Sequence, residues 1–194
     1  MTEKDKISYS IGLNIGRNFK AQSLDIDSKT IMKGIDDGFL GNKSLMTDQE
    51  MSETMDNLRT RMIEAKKKEG EKFLEENKKR KGVVSLPSGL QYEVIKQGEG
   101  NKPKLDDTVV TNYQGSSISG EVFDSSYQRG TPATFPVKGV IAGWTEALQL
   151  MQTGAKWKLF IPPNLAYGER GAGGKIGPNA TLIFDIELIE IKPN

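Results

Sequence analysis

Up to about Lys81, the apolar positions follow helical spacing. Ile7, Ile11, Ile15 and Phe19 recur every fourth residue, which predicts one face of a helix. Ile31, Ile35 and Phe39 repeat the pattern in a second segment that Asp27 or Ser28 can cap and Gly41-Asn42 can end. Gly12 and Gly16 lie beside the first stripe and Gly34 and Gly38 beside the second. Glycine inside a helix costs about 1 kcal/mol against alanine, so this spacing predicts close backbone approach between helices. Two short helices with such stripes bury little surface alone, and pairing with a second copy is the economical way to cover them.

Thr47-Asp48-Gln49-Glu50 reads as a capping box that opens a long helix. Met51, Met55, Leu58, Met62 and Ala65 then alternate spacings of four and three, the narrow seam of a partner helix. Methionine-rich seams also serve as adaptable client surfaces, but a plain interhelical seam is the simpler reading. Beyond Ala65 the segment Lys66-Lys67-Lys68-Glu69-Gly70-Glu71-Lys72 is polar on every side, which predicts a solvated stalk. From Asp48 to Arg80 such a helix extends roughly 50 Å.

At Gly82 the pattern changes. Val83 to Gly89 reads as a linker, and alternating or β-branched runs follow at Gln91–Lys96, Val109–Tyr113, Glu121–Ser126, Thr134–Val137, Lys156–Ile161 and Thr181–Ile191. Gly143–Met151 is the only stretch of this half that reads as helix. The expected class is α+β: a helical module over residues 1–46, a stalk helix over 47–82, a linker over 83–89, and an antiparallel sheet wrapped on one short helix over 90–194.

Composition narrows the chemistry. The 194 residues hold 27 Lys plus Arg against 26 Asp plus Glu, a formal charge of +1, so no basic excess points to nucleic acid. With no cysteine and no histidine, the chain lacks thiolate nucleophiles and the commonest general base and metal ligand. No apolar run approaches the ~20 residues of a membrane span. The start Met1-Thr2-Glu3-Lys4-Asp5-Lys6 lacks the apolar core of a signal peptide, so the chain as written reads as cytoplasmic; a mature periplasmic or envelope protein given a new Met1 would look the same.

The candidate chemistry lies in the second half. Leu159 to Gly168 runs from an apolar strand through Pro162-Pro163 to Tyr167, and the glycine-rich Glu169–Pro178 leads into Asn179–Leu188. With Tyr113, Phe123, Phe135, Trp144 and Phe184, this order predicts an apolar pocket with a few polar tips.

Val110 to Gly115, Val122-Phe123-Asp124-Ser125-Ser126, Val140-Ile141-Ala142-Gly143-Trp144, Leu165-Ala166-Tyr167-Gly168 and Ala180 to Asp185 resemble the FKBP family, the macrolide-binding peptidyl-prolyl cis-trans isomerases. The likeness runs from about Leu90 to Lys192. The N-terminal part, from Asp5 through the long helix, resembles the dimerisation module of bacterial Mip-like isomerases.

The resemblance implies catalytic roles for Asp124, Tyr167, Trp144 and Phe184, and substrate contacts from Tyr113, Phe123, Phe135, Val140, Ile141 and Ile176. Trp144 would be the floor, with Tyr113, Phe135 and Phe184 as walls and Val140 and Ile141 on the rim. Phe123 would pack beside Asp124, which would sit near Tyr113. The Tyr167 hydroxyl and the Ile141 amide would meet substrate carbonyls, and Ile176 would cover the pocket. Asp124 has a plainer reading too, as an acceptor of backbone amides that fixes a turn.

No cofactor and no metal are implied. The implied partners are proline-containing polypeptides, macrolide inhibitors and a second copy bound through residues 1–65, with no nucleic acid and no membrane span. The competing reading is a dimeric chaperone, a holdase in which isomerisation is incidental. Two positions depart from the common pattern: Ala172 replaces a frequent histidine, and Lys175 replaces a frequent aliphatic rim residue. Lys175 is expected to bias the residue before the target proline towards acidic or polar types, and Gly171-Ala172-Gly173-Gly174 is expected to be very flexible.

Overall fold

The structure is a computed structural model that describes residues 1–22 and 24–192. Ser23 of the predicted helical module, and Pro193 and Asn194 at the end of the predicted sheet domain, lie outside the described residues. The chain divides into two compact units, Met1–Met55 and Asp56–Asn194.

The first unit contains helices α1 (Glu3–Ala21) and α2 (Ser28–Leu40) and the start of α3 (Asp48–Asn77). Local sequence sets each end. Thr2 and Asp5 form a reciprocal capping box on α1, and Asp27 accepts from the Thr30 amide at 2.7 Å to start α2. Gly41, at φ +68°, ends α2 in the left-handed conformation. At α3 the Thr47 amide donates to Glu50 at 2.8 Å and the Glu50 amide to Thr47 at 3.2 Å, the capping box read from the sequence.

This unit has almost no interior. Helix α1 has no buried residue, and α2 buries only Asp37, which Lys33 and Asn42 hold by hydrogen bonds. Ile7, Ile11, Ile35 and Phe39 are exposed. Among the described residues of this chain nothing closely approaches Gly12, Gly16, Gly34 or Gly38: a Cβ built on any of them meets nothing within 4 Å. The stripes are present but largely uncovered among the described residues, where only Phe19 and Ile31 are partly buried.

The second unit is built on a seven-stranded sheet of β1 (Val83–Ser85), β2 (Gln91–Lys96), β3 (Thr108–Ser117), β4 (Val122–Ser125), β5 (Ala133–Pro136), β6 (Lys156–Ile161) and β7 (Leu182–Lys192). The order is β1-β2-β6-β7-β3-β4, β5 also pairs with β3, and every pairing is antiparallel. The period of two decides which residues face the core: Val109, Thr111, Tyr113 and Gly115 of β3, and Leu182, Phe184, Ile186 and Leu188 of β7. Against that face lies α5 (Ala142–Leu150), whose Trp144, Ala147 and Leu148, with Met151 at its cap, follow the i, i+3, i+4, i+7 stripe of a core-facing helix.

Three expectations need correction here. The linker over 83–89 contains a strand, since Val83, Val84 and Ser85 pair with Glu93, Tyr92 and Gln91. The polar end of α3 is not a free stalk. Gly70 and Asn77 are buried, the Phe73 and Phe160 rings lie 6.0 Å apart, and Asn77 donates to Gln91 Oε1 at 2.8 Å. Gln91 in turn donates to the Leu74 carbonyl at 2.9 Å, while Arg80 sits over Phe160 and pairs with Glu93. A Cβ on Gly70 would come within 2.4 Å of Thr181 Oγ1, so only glycine lets this turn seat without displacing Thr181. Finally, Gly143–Met151 is not the only helical stretch, because α4 (Ser126–Arg129) follows β4 and two 3-10 turns flank the site.

Candidate active site

A cavity of about 650 Å³ opens beside α5. The sheet and the connections around it supply its lining: Tyr113 from β3, Phe123 and Asp124 from β4, Phe135 from β5, and Phe184 from β7. Val140 and Ile141 come from the turn before α5, Trp144 from α5 itself, and Tyr167 and Ile176 from the β6–β7 connection. Every residue singled out in the sequence for the pocket is brought into this one cavity.

Its centre is Trp144, only 4% exposed. The rings of Tyr113, Phe135 and Phe184 meet the indole nearly edge-on, with centroids 5.1, 5.7 and 5.3 Å away and interplanar angles of 83°, 88° and 86°. Edge-to-face contact suits the quadrupoles of aromatic rings. Phe123 stands edge-on to Phe184 at 5.6 Å. Gly115, directly across the ladder from Phe184, leaves room for both, since a Cβ there would lie 2.6 Å from each ring. The Trp144 Nε1–H is buried without a partner among the described residues.

The polar groups sit at the edges. Tyr113 donates its hydroxyl to Asp124 Oδ2 at 2.5 Å, and Arg129 donates to both, to Asp124 Oδ1 and to the Tyr113 oxygen at 2.8 Å. The Arg129 guanidinium also lies over the Tyr113 ring, 5.4 Å from its centroid. Burial opposes ionisation of Asp124, but the hydrogen bonds from Tyr113 and Arg129 and the charge of Arg129 outweigh it and hold its carboxyl below the usual aspartate range. Burial, with the bond to Asp124, pushes the Tyr113 hydroxyl up. Asp124 is thus an ionised anchor joined to two side chains, more than the turn-fixing acceptor of the plainer reading.

Arg129 escaped the sequence reading. Its signal was local: Ser125 caps α4, Gly130 at φ +73° ends it, and that single turn returns Arg129 to Asp124. Ser126 adds support by accepting from the Tyr113 amide at 2.9 Å.

The rim connection contains a hydrogen-bonded turn. Ala172 and Ile176 exchange both backbone hydrogen bonds, at 2.8 and 3.0 Å, and Gly173 and Gly174 between them adopt positive φ to close the hairpin, as does Gly171 just before it. Ala172, Lys175 and Ile176 therefore stand at defined places on the cavity wall. Tyr167 is 40% exposed. The Ile141 carbonyl accepts from Trp144 and Thr145, whereas its amide donates to no backbone carbonyl among the described residues. Among those residues, no group of three or more Asp, Glu, His or Cys side chains is placed to hold a metal.

An aromatic bowl with hydrogen-bonding groups confined to its margin, on an antiparallel sheet wrapped round one helix, defines an FKBP-type domain. Residues 99–189 match the FKBP-type peptidyl-prolyl cis-trans isomerase family, and residues 4–94 match the domain amino-terminal to such isomerases. The chain belongs to that family. It is 47% identical to the outer membrane protein MIP of Legionella longbeachae, over 98% of this chain and 87% of that protein. It is 46% identical to the peptidyl-prolyl cis-trans isomerase Mip of Coxiella burnetii, over 98% and 88%. Among solved structures, FkpA from Escherichia coli aligns over 99% of this chain and 98% of that one, with a TM-score of 0.66 and 38% identity. No helix among the described residues is long and apolar enough to cross a membrane.

Proposed function

We propose that this chain accelerates the cis-trans rotation of X-Pro bonds in polypeptides and that the bond turns in the Trp144 cavity. The observation that carries this reading is the buried indole with three rings edge-on around it, a bowl of a size to take a proline ring. Resonance holds an X-Pro bond planar behind a barrier of ~18–20 kcal/mol, and unaided rotation takes tens to hundreds of seconds. At the twisted midpoint resonance is lost and the carbonyl is less polar. An apolar, desolvated bowl therefore penalises the planar ground state more than the transition state.

No proton has to move. Trp144 and Phe184 shape the floor and wall, while Tyr167 and the Ile141 amide hold the carbonyls beside the rotating bond. Asp124, clamped by Arg129, keeps Tyr113 in place. Macrolide inhibitors are proposed to occupy the same bowl and to compete with the peptide. A chromogenic proline tetrapeptide assay tests the proposal: a rate proportional to enzyme and lowered several-fold in Tyr167→Phe is expected. No acceleration by the wild-type chain would overturn the reading, and an unimpaired Tyr167→Phe would remove Tyr167 from it.

A second copy is proposed to cover the first unit through residues 1–65. The support is the apolar stripe of α1 and α2, with Ile11 55% and Phe39 88% exposed, far above a core position. Light scattering at micromolar concentration should give twice the chain mass; a monomer mass would refute the pairing. If the holdase reading were the right one, aggregation of a proline-free client would be suppressed as strongly by a peptide-inactive variant as by the wild type.

A further inference from the structure

Two charged side chains line the cavity, Asp124 and Lys175. They are not equivalent. Asp124 is neutralised in place by Arg129, which holds its carboxylate while lying outside the lining. Lys175 makes no ion pair among the described residues. Some lysines of this unit are engaged, Lys138 with Asp106, Lys158 with Asp185 and Lys156 over the Tyr127 ring. Lys96, Lys102 and Lys104, like Lys175, make no ion pair among the described residues, but of these only Lys175 lines the cavity. Glu169 and Arg170, in the same connection as Lys175, are exposed, opposite in sign and outside the lining. The mouth of an otherwise apolar bowl thus carries one uncompensated positive charge.

That charge is carried on a hydrogen-bonded turn. Lys175 immediately precedes Ile176, and the hydrogen-bond pair between Ile176 and Ala172 pins the base of the hairpin that presents both. Resting on the isomerase reading above, we propose that Lys175 selects polypeptides with an acidic residue flanking the target proline. A carboxylate near the ammonium gains a partner that the protein does not supply, and a basic flank is repelled by the same charge. Exposed ion pairs change an equilibrium by roughly 1.4- to 5-fold. A Glu flank should therefore be favoured over isosteric Gln by about threefold in kcat/KM, and over Lys by roughly tenfold. Since the charge is solvent-facing, raising the salt from 0.05 to 1 M should shrink both ratios.

The test uses the full chain and two peptide series, with Glu, Gln or Lys directly before the proline in one and directly after it in the other. The expected result is the order Glu, Gln, Lys in at least one series, flattened in Lys175→Met and reversed in Lys175→Glu. What is read is the ratio between peptides within each variant, so a uniform change in rate does not disturb the comparison. Absence of a charge order in both series, or an order that survives both substitutions, would overturn the proposal. Failure of the isomerase reading itself looks different: no Gln peptide would then be accelerated by the wild-type chain.

Discussion

The two units use apolar residues in opposite ways. In Asp56–Asn194 the periodicities of β3, β7 and α5 converge, so that Leu148, Ile186 and Leu188 are fully buried and Trp144 nearly so. In Met1–Met55 an equally regular stripe ends at the surface, with Ile7, Ile11, Ile35 and Phe39 exposed. Pattern alone measures the wish to bury a face, not the presence of something to bury it against. The sheet unit finds its partner within the chain, which fits a site needing fixed rings; the helical unit presents its stripe outward, which fits assembly.

The largest effect expected from breaking this contrast is in the core. Leu148→Ala should cost about 2–5 kcal/mol in urea denaturation, the range for emptying a packed leucine site. Ile11→Ala should cost far less in a dilute monomer, and its cost should grow with protein concentration if a second copy covers α1. An equal, concentration-independent loss at both positions would erase the distinction between the units.

Next comes the place where the polar end of α3 joins the sheet. A fragment that begins at Lys66 keeps Gly70, Phe73, Asn77 and Arg80 against Phe160, Gln91 and Glu93; one that begins at Gly82 loses them all. The shorter fragment should be less stable by roughly 2–4 kcal/mol, from exposing Phe160 and losing the hydrogen bonds between Gln91 and α3. Matching thermal midpoints for the two fragments would show that this part of α3 is a spacer after all.

Glycine offers a finer comparison between the units. Gly70→Val forces a side chain into Thr181 and should cost about 1–3 kcal/mol. Gly12→Ala and Gly38→Ala meet nothing in their own unit and should stabilise a monomer by about 0.5–1 kcal/mol each. If those alanines instead weaken the protein or lower its mass in solution, the glycines face a second copy.

The smallest effect concerns Asp124. Its folded pKa lies below the unfolded value of about 3.9, so its contribution is complete well above that pH and drains away as pH falls through the folded value. Because the Asp124 and Arg129 side chains are 43% and 47% exposed, solvent screening holds the contribution under about 1 kcal/mol. Asp124→Asn should show that loss at pH 7 and a shallower fall in stability below pH 4 than the wild type. Parallel acid titrations for the two proteins would show that the carboxylate charge contributes nothing.

Much of this was legible because the signals were local. Capping at Asp27 and Thr47, alternation in β3 and β7, the stripe through Trp144 to Met151, and the motifs carrying Tyr113, Asp124, Tyr167 and Phe184 each depend on residues a few positions apart. The misreadings have two sources, partners remote in sequence and short turns whose closure periodicity does not register. Gly70 and Asn77 stand in a segment polar on all sides, and only Thr181 and Gln91, distant in sequence, make them interior. Val83–Ser85 becomes a strand because β2 presents an edge to pair with. Arg129 is one basic residue in a turn until α4 folds it back onto Asp124, and the loop through Gly173 and Gly174 is tight only because Ile176 bonds Ala172.

The chain's own order of residues thus determined the long helices, the main strands and the chemical character of an apolar bowl with a few polar tips. Tertiary structure decided which polar residues count as interior, which carboxylate is neutralised and which lysine is left unpaired at the rim. Burial and charge pairing depend on distances set by folding, across five residues at Asp124 and Arg129 and across more than a hundred at Gly70 and Thr181, and periodicity carries no record of those distances.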